Sequence, residues 1–120
     1  MTNEDHLTSL ELSKHLKKLG VKQESVWYWW KAGHIFVEEA RYAGRQWEKL
    51  ASAFTVAELG ELLPDDFYTT KDTTTGKTIW GCAHYTSSYK LEYPLLEANT
   101  EADARAKMLI YLREKQLITL

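Results

Sequence analysis

The residues best suited to covalent chemistry are a cysteine and a histidine two positions apart, in the tripeptide Cys82-Ala83-His84. Side chains at positions i and i+2 of a β-strand lie on the same face of a sheet, so the imidazole could accept the proton of the thiol. A cysteine nucleophile also needs a lowered thiol pKa and donors for an oxyanion, and no helix start directly after Cys82 supplies them. The pattern therefore favours a small buried cysteine beside an exposed histidine, with a cysteine-dependent enzyme that uses Cys82 and His84 as the alternative.

A zinc site is the second chemical possibility, because thiolate, imidazole and carboxylate groups all bind this metal. Cys82 and His84 would have to be joined by His34 and by a carboxylate such as Glu38 or Glu39. None of the usual ligand spacings, such as C-x-x-C, H-x-x-x-H or H-E-x-x-H, occurs in the sequence. We therefore predict no metal ion, no other cofactor and no catalytic residue, and a metal-dependent activity of these residues stays within the enzyme alternative.

The most unusual feature is a run of four aromatic residues, Trp27-Tyr28-Trp29-Trp30, in a chain with five tryptophans. Consecutive strand residues point to opposite faces of a sheet, so some of these rings lie on an open face if helices cover the other. Trp and Tyr supply much of the binding energy at protein interfaces. We therefore predict an interaction surface at Trp27, Tyr28, Trp29 and Trp30, for a protein partner or for self-association as a homodimer. The opposing interpretation is that helices and the loop carrying Trp47 bury most of these rings.

The charge balance argues against nucleic acid as the partner. Fifteen lysines and arginines against seventeen acids give a formal net charge of -2, whereas sequence-independent nucleic-acid binders are strongly basic. Lys14, Lys17, Lys18 and Lys22 form a local basic set, but such a set is usually a solvated helix face. A nucleic-acid-binding accessory protein is thus a second alternative that is not favoured.

Three helices are predicted from the capping patterns at their N-termini. Thr8 and Glu11 match a T-x-x-E capping box ahead of the first helix, and Thr55 and Glu58 repeat the box ahead of the second. The third helix starts within Asn99-Thr100-Glu101-Ala102-Asp103, and acidic residues lead and basic residues trail along it, as the helix dipole prefers.

Aromatic and β-branched runs between these helices predict five strands. Residues 25–42 are expected to form a hairpin with its turn at Ala32-Gly33-His34, whereas the segment 43–53 is expected to be a loop or a short helix. A three-stranded meander is expected at Phe67–Lys71, Thr78–Tyr85 and Tyr89–Tyr93, closed by Pro94. The order α-β-β-α-β-β-β-α predicts an α+β domain, with an antiparallel sheet of about five strands and about three helices on one face.

Size and composition indicate a single domain over residues 1–120, because 44% hydrophobic and 27% charged residues are typical of one compact soluble unit. The single cysteine excludes an intramolecular disulfide, and the acidic N-terminus lacks the features of a secretory signal, so we expect a cytoplasmic protein. The apolar runs are far shorter than the roughly 20 residues that cross a bilayer, so no membrane association is expected.

Two segments, SAFTVAELGELLP at residues 52–64 and EANTEADARAKMLIYLREKQLI at residues 97–118, resemble small uncharacterised proteins encoded in bacteriophage and prophage genomes. The resemblance covers the C-terminal two thirds of the chain and rests on helix caps and core positions. It implies a single small α+β domain and transfers no active-site residue. Combined with the aromatic run, it leads us to expect a non-enzymatic interaction or accessory module of phage or prophage type.

Overall fold

The fold belongs to the α+β class, as predicted, but its strands form two sheets instead of one. A computed structural model of the chain describes residues 3–84 and 93–118. Within these ranges it contains three α-helices and two antiparallel sheets of three strands each. The helices are α1 (Leu10–Lys18), α2 (Val56–Leu62) and α3 (Glu101–Glu114). The strands are β1 (Trp27–Lys31), β2 (Ile35–Glu39), β3 (Glu48–Ala53), β4 (Phe67–Asp72), β5 (Ile79–His84) and β6 (Leu96–Ala98), and short 3-10 turns cover Asn3–His6 and Ala40–Tyr42.

The first sheet has the order β2-β1-β3, with the aromatic strand β1 in the centre. The predicted hairpin is confirmed, because β1 pairs with β2 in the register Trp29 opposite Val37. Gly33 lies in its turn at φ +76°, a left-handed conformation that glycine adopts without strain.

The expectation of a loop or short helix at residues 43–53 holds for 43–47, which form a loop, but was wrong for Glu48–Ala53, which forms β3 along the other side of β1. The sequence of this strand, Glu-Lys-Leu-Ala-Ser-Ala, has no aromatic and no β-branched residue that would mark it as a strand. Its register also shifts between Trp29 and Trp30, and such a bulge breaks the two-residue alternation. The omission of this strand left the predicted hairpin without the third strand that completes the first sheet.

The second sheet has the order β4-β5-β6. Strands β4 and β5 confirm the first two predicted strands of the meander, and Gly76, at φ +83°, lies in the turn between them. The predicted turn at residues 86–88 and the strand residues 89–92 lie outside the described residues. Pro94 does not end the sheet, since β6 follows it and pairs with β5.

The helices do not share one sheet face as predicted. Helix α1 packs against β3 of the first sheet, α3 packs against β5 and β6 of the second, and α2 packs chiefly against α3. The predicted cap at Thr55 is confirmed, and Thr100, within the predicted start of α3, caps that helix. Each hydroxyl accepts a hydrogen bond from the backbone amide three residues later. The cap of α1 is Ser9 and not Thr8, because the Ser9 hydroxyl accepts from the amide of Leu12.

Two hydrophobic cores hold these layers. The larger core surrounds α3, from which seven side chains are buried, and it includes Phe54, Leu59 and Cys82. The smaller core lies between α1 and the first sheet, where Leu7, Trp29 and Ala53 are buried. A hydrogen bond of 2.8 Å from the amide of Ser9 to Asp103 Oδ1 joins the start of α1 to α3. The resulting body is a flat slab with extents of 53 × 36 × 19 Å.

Candidate interaction surface

The four residues of the predicted interaction surface separate to the two faces of the first sheet. Trp29 faces α1, where its indole Nε1 donates to the carbonyl of Thr8 at 3.0 Å and its ring is 8% exposed. Trp27 packs against the same smaller core and is partly buried. These two rings therefore hold the sheet on α1.

Tyr28 and Trp30 point to the opposite face, where they meet two rings from neighbouring segments. The Trp30 ring lies 5.7 Å from Tyr28 and 5.8 Å from Trp47, and Phe36 lies 4.8 Å from Trp47 at an interplanar angle of 89°. Edge-to-face geometry of this kind is the favoured arrangement of aromatic pairs. We refer to Tyr28, Trp30, Phe36 and Trp47 as the aromatic cluster. It belongs to neither hydrophobic core.

Hydrogen bonds fix the two inner rings of this cluster. The Tyr28 hydroxyl donates to the carbonyl of Gln23 at 3.2 Å and accepts from the amide of Ser25, while Trp30 Nε1 donates to the carbonyl of Glu38 at 3.1 Å. Both polar ring groups are thus satisfied, as buried Tyr and Trp require. The rings form a fixed platform and not a loose patch.

A lysine and a glycine complete the platform. Lys49 Nζ lies 4.2 Å from the centre of the Tyr28 ring, within the range of a cation–π contact. Gly44 lets the Trp47 indole approach the backbone, because a Cβ at Gly44 would lie 2.5 Å from Trp47 Nε1. The loop before β3 therefore positions Trp47 over the sheet.

Accessibility differs sharply within the aromatic cluster. Tyr28 and Trp30 are only 6% and 5% exposed, whereas Phe36 and Trp47 are half-buried and the neighbouring His34 is exposed. Contact with a partner would therefore involve the outer pair, Phe36 and Trp47, which the sequence-based set omits. The hairpin register about Gly33 could have identified Phe36, because it places Phe36 opposite Trp30. The sequence analysis names Trp47 only on the loop that could bury the rings.

The cysteine and histidine of the predicted enzyme alternative lie in the second sheet. Cys82 is fully buried in the larger core, and burial raises the pKa of its thiol from 9.0 to about 11, although the nearby Arg105 guanidinium lowers it in part. A thiol with this pKa carries little thiolate at neutral pH and is a poor nucleophile. His84 packs beside the rings of Phe67 and Tyr93, at 5.0 and 5.9 Å.

The proposed metal ligands are not brought together. His34 follows the turn of the first hairpin, whereas Cys82 and His84 lie on β5 of the second sheet. Within residues 3–84 and 93–118, no group of three or more His, Cys, Asp or Glu side chains has an arrangement that could hold a metal ion.

The lysine set is partly engaged within the protein. Lys17 Nζ donates to the carbonyl of Leu50 at 2.9 Å, and Lys22 pairs with Glu24 at 3.3 Å. Lys14 and Lys18 line a cleft that also contains acidic residues of α1 and α3. The set therefore does not form a continuous cationic face.

A polar network at the start of α3 is the other concentration of charge. The Thr69 hydroxyl donates to Glu101, and Arg105 lies 3.7 Å from the same Glu101 carboxylate. Beside it, Trp80 and Lys71 line a cleft of about 360 Å³. The network ties β4 to α3.

No described helix combines the length and the apolar character that a membrane-spanning segment needs. Comparison of the chain with protein-family models, with curated proteins and with solved structures finds no match in any of the three.

Proposed function

We propose that this protein is a non-enzymatic interaction module, an accessory protein of phage or prophage type, that binds another protein through its first sheet. The observation that carries the proposal is the aromatic cluster, which lies outside both hydrophobic cores on the sheet face that turns away from α1. Trp and Tyr concentrate in the energetically important centres of protein interfaces.

The geometry of the cluster suits binding because its rings are already ordered. Tyr28 and Trp30 are held by hydrogen bonds and by Lys49, so the half-buried rings of Phe36 and Trp47 rest on a rigid base. A preorganised surface loses less conformational entropy when a partner binds. Complete burial of Phe36 and Trp47 by a partner would supply the apolar contact.

The two alternatives receive less support from the same geometry. An enzyme that used Cys82 and His84 would need a reactive thiol, and the thiol of Cys82 is buried with a pKa of about 11. A nucleic-acid binder would need a cationic track, whereas Lys17 and Lys22 are engaged with the protein itself.

The test is capture of partners by the tagged full chain from a lysate of the cell that carries the gene. Trp47→Ser removes an outer ring of the aromatic cluster, and Tyr68→Ser is the matched control, because Tyr68 is 52% exposed on β4 of the second sheet. Circular dichroism and the melting temperature verify that both variants are folded. We expect a reproducible set of proteins to bind the unaltered chain and the control and to be lost with Trp47→Ser.

The proposal would be overturned if all three chains captured the same proteins and none of them associated with itself. Turnover that is abolished by Cys82→Ser in a folded protein would instead establish the enzyme alternative. Salt-sensitive binding of single-stranded or duplex DNA or RNA would establish the nucleic-acid alternative.

A further inference from the structure

The two edges of the first sheet differ in how their backbone groups are satisfied. Along β3, side chains close the outer edge: Lys17 Nζ donates to the carbonyl of Leu50 at 2.9 Å, and Gln23 Oε1 accepts from the amide of Ser52 at 2.8 Å. The N-terminal segment continues this closure, since the amide of Thr8 donates to the carbonyl of Phe54 at 3.0 Å. No further strand can add to the β3 edge without displacing these contacts.

The outer edge of β2 is open in the part of the chain that the structure describes. In an antiparallel ladder, hydrogen-bonded and non-hydrogen-bonded pairs alternate. The amide of Ala32 donates to the carbonyl of His34, and that of Ala40 donates to the carbonyl of Val26. The hydrogen-bonded pairs of the β1–β2 ladder are therefore those that contain His34, Phe36, Glu38 and Ala40. The amides and carbonyls of Ile35 and Val37 therefore point away from β1.

The first three side chains of β2 are apolar, which is unusual for an unprotected edge. Ile35 is 45% exposed, and Phe36 and Val37 are partly buried. Native proteins usually protect open edges with charged residues. The edge strand β4 of the second sheet follows that practice, with Thr69, Thr70, Lys71 and Asp72 in sequence.

The open edge ends at an acidic residue that is folded back on the strand. Glu38 Oε1 accepts from the amide of Glu39 at 2.8 Å, so the next outward amide is already engaged. Among the described residues, the outward amides of β2 without a hydrogen-bond partner are thus those of Ile35 and Val37, at equal distances on either side of Phe36.

We propose that β2 pairs antiparallel with β2 of a second copy of this chain, about a twofold axis at Phe36, to give a continuous six-stranded sheet. This inference names the partner of the first sheet and rests on the proposed function. Ile35 of each copy lies opposite Val37 of the other, which forms four backbone hydrogen bonds from groups that have no partner within residues 3–84 and 93–118 of the single chain.

The side chains match in this register. On the face toward α1, the exposed Ile35 meets Val37 of the second copy. On the other face Phe36 meets its own counterpart, beside the Trp47 ring at 4.8 Å. His34 lies opposite Glu38 of the second copy, whose carboxylate has a second oxygen to offer.

A register shifted by one residue is a poorer match. With the axis at Val37, Phe36 would lie opposite Glu38 and Ile35 opposite Glu39, so apolar residues would meet carboxylates and the engaged amide of Glu39 would have to pair. Of these two twofold registers, the one about Phe36 is therefore the better match.

The first experiment is sedimentation velocity of the full chain between about 1 and 500 µM, the range in which a small interface associates. We expect a monomer–dimer equilibrium. Ile35→Pro removes an amide that points away from β1, so the internal ladder survives and the dimer is lost. Tyr68→Lys, at the edge of the second sheet, is the matched control and leaves the dimer constant unchanged.

Cross-linking tests the register. In the Phe36→Cys dimer, the two introduced cysteines form a non-hydrogen-bonded pair across the axis, with Cα atoms about 4.5 Å apart. We expect them to form an intermolecular disulfide on mild oxidation. Val37→Cys alone does not cross-link to itself, whereas a mixture of Ile35→Cys and Val37→Cys chains forms the disulfide. This mixture tests the register even if Phe36→Cys does not fold. The native Cys82 is buried and does not compete.

Charge exchange tests the pairing of His34 with Glu38. His34→Glu weakens the dimer by roughly tenfold or more because two carboxylates then face each other, and addition of Glu38→Lys restores it.

Three results would overturn the inference: a chain that is monomeric at all concentrations, a dimer that survives Ile35→Pro, or self-cross-linking through Val37→Cys alone. A monomeric chain that still captured proteins through Trp47 would refute the dimer and leave the proposed function standing. Loss of both would refute both.

Discussion

Thr8 is expected to stabilise the fold through tertiary hydrogen bonds and not as a helix cap. It is fully buried, its Oγ1 accepts from the amide of Phe54 at 2.9 Å, and it lies 2.6 Å from Ser13 Oγ. Its carbonyl accepts from Trp29 Nε1 at 3.0 Å. Thr8→Val keeps the shape of the side chain and replaces only the hydroxyl by a methyl group, so it isolates the hydrogen bonds of Oγ1.

The expected loss of stability follows from the backbone amide that Thr8→Val leaves without an acceptor. The Phe54 amide loses its acceptor at a site where Phe54 is 2% exposed. A buried amide without a hydrogen-bond partner lowers the stability by about 1–3 kcal/mol. The Ser13 hydroxyl keeps the Thr8 carbonyl as an acceptor at 3.3 Å and adds little. We therefore expect Thr8→Val to lower the free energy of unfolding by about 2 kcal/mol.

Thr8→Asn separates the tertiary role from a capping role because the two predict opposite signs. Asparagine caps helices at least as well as threonine, so a cap at this position would be unaffected or improved. In a fully buried site the larger amide instead costs a further ~1–3 kcal/mol through overpacking. Ser9→Ala, which removes the actual cap, is expected to cost about 1 kcal/mol.

Urea unfolding followed by tryptophan fluorescence measures these differences. With a slope of about 2 kcal/mol/M, Thr8→Val moves the midpoint by about 1 M. Thr70→Val, at an exposed threonine of β4, is the control and stays within ~0.5 kcal/mol of the unaltered chain. The reasoning fails if Thr8→Asn is neutral or stabilising, or if Thr8→Val behaves like the control.

Three further predictions concern the loop, α2 and the larger core. Gly44→Ala places a Cβ 2.5 Å from Trp47 Nε1, so the indole must move, and we expect a lower melting temperature and an altered near-ultraviolet dichroism spectrum; an unchanged spectrum would contradict the placement of Trp47. Gly60→Ala is instead expected to stabilise the protein by about 0.5–1 kcal/mol through helix propensity, because its Cβ meets only the end of the Arg105 side chain, at 3.1 Å. A loss of stability would show that the Arg105 side chain cannot move away from the added Cβ. Because burial raises the pKa of Cys82 from 9.0 to about 11, the unfolded chain loses the thiol proton first, so stability falls as the pH rises from about 9 through 11. Cys82→Ala removes this decline relative to the unaltered chain, and iodoacetamide at pH 8 reacts with Cys82 far more slowly in the folded protein than in urea; equal rates would contradict the burial.

The sequence predicted correctly those helix caps and strand pairs whose hydrogen-bonding partners lie only a few residues apart along the chain. The cap at Thr55 involves an amide three residues away, and the β1–β2 hairpin closes through a short turn at Gly33, so the sequence predicted both. It also predicted the start of α3, where Thr100 caps an amide three residues away. Thr8 and Ser9 both have capping side chains, and the choice between them depends on Phe54, which is 46 residues from Thr8. A pattern within one helix cannot contain that information.

The same limit applies to the candidate surface. The sequence marked Trp27–Trp30 correctly as an aromatic strand, but its alternation cannot show which rings other segments cover. That depends on β3, whose small and polar residues carry no strand signal, and on the loop that brings Trp47 over Phe36. The accessible members of the aromatic cluster were therefore found only in the folded arrangement.

The position of α3 sets an order on how the chain can fold during its synthesis. The first sheet and α1 lie within the first 53 residues and can assemble early, but the larger core is built around seven buried side chains of α3. At about 5–20 residues per second, the roughly 60 residues between Ala53 and Glu114 take about 3 to 12 s to appear. Strand β5 is synthesised only midway through this interval, and from His84 to Glu114, about 30 residues or ~1.5 to 6 s, its apolar side has no helix to cover it. The nascent chain is then most exposed to aggregation, while its first sheet is already formed.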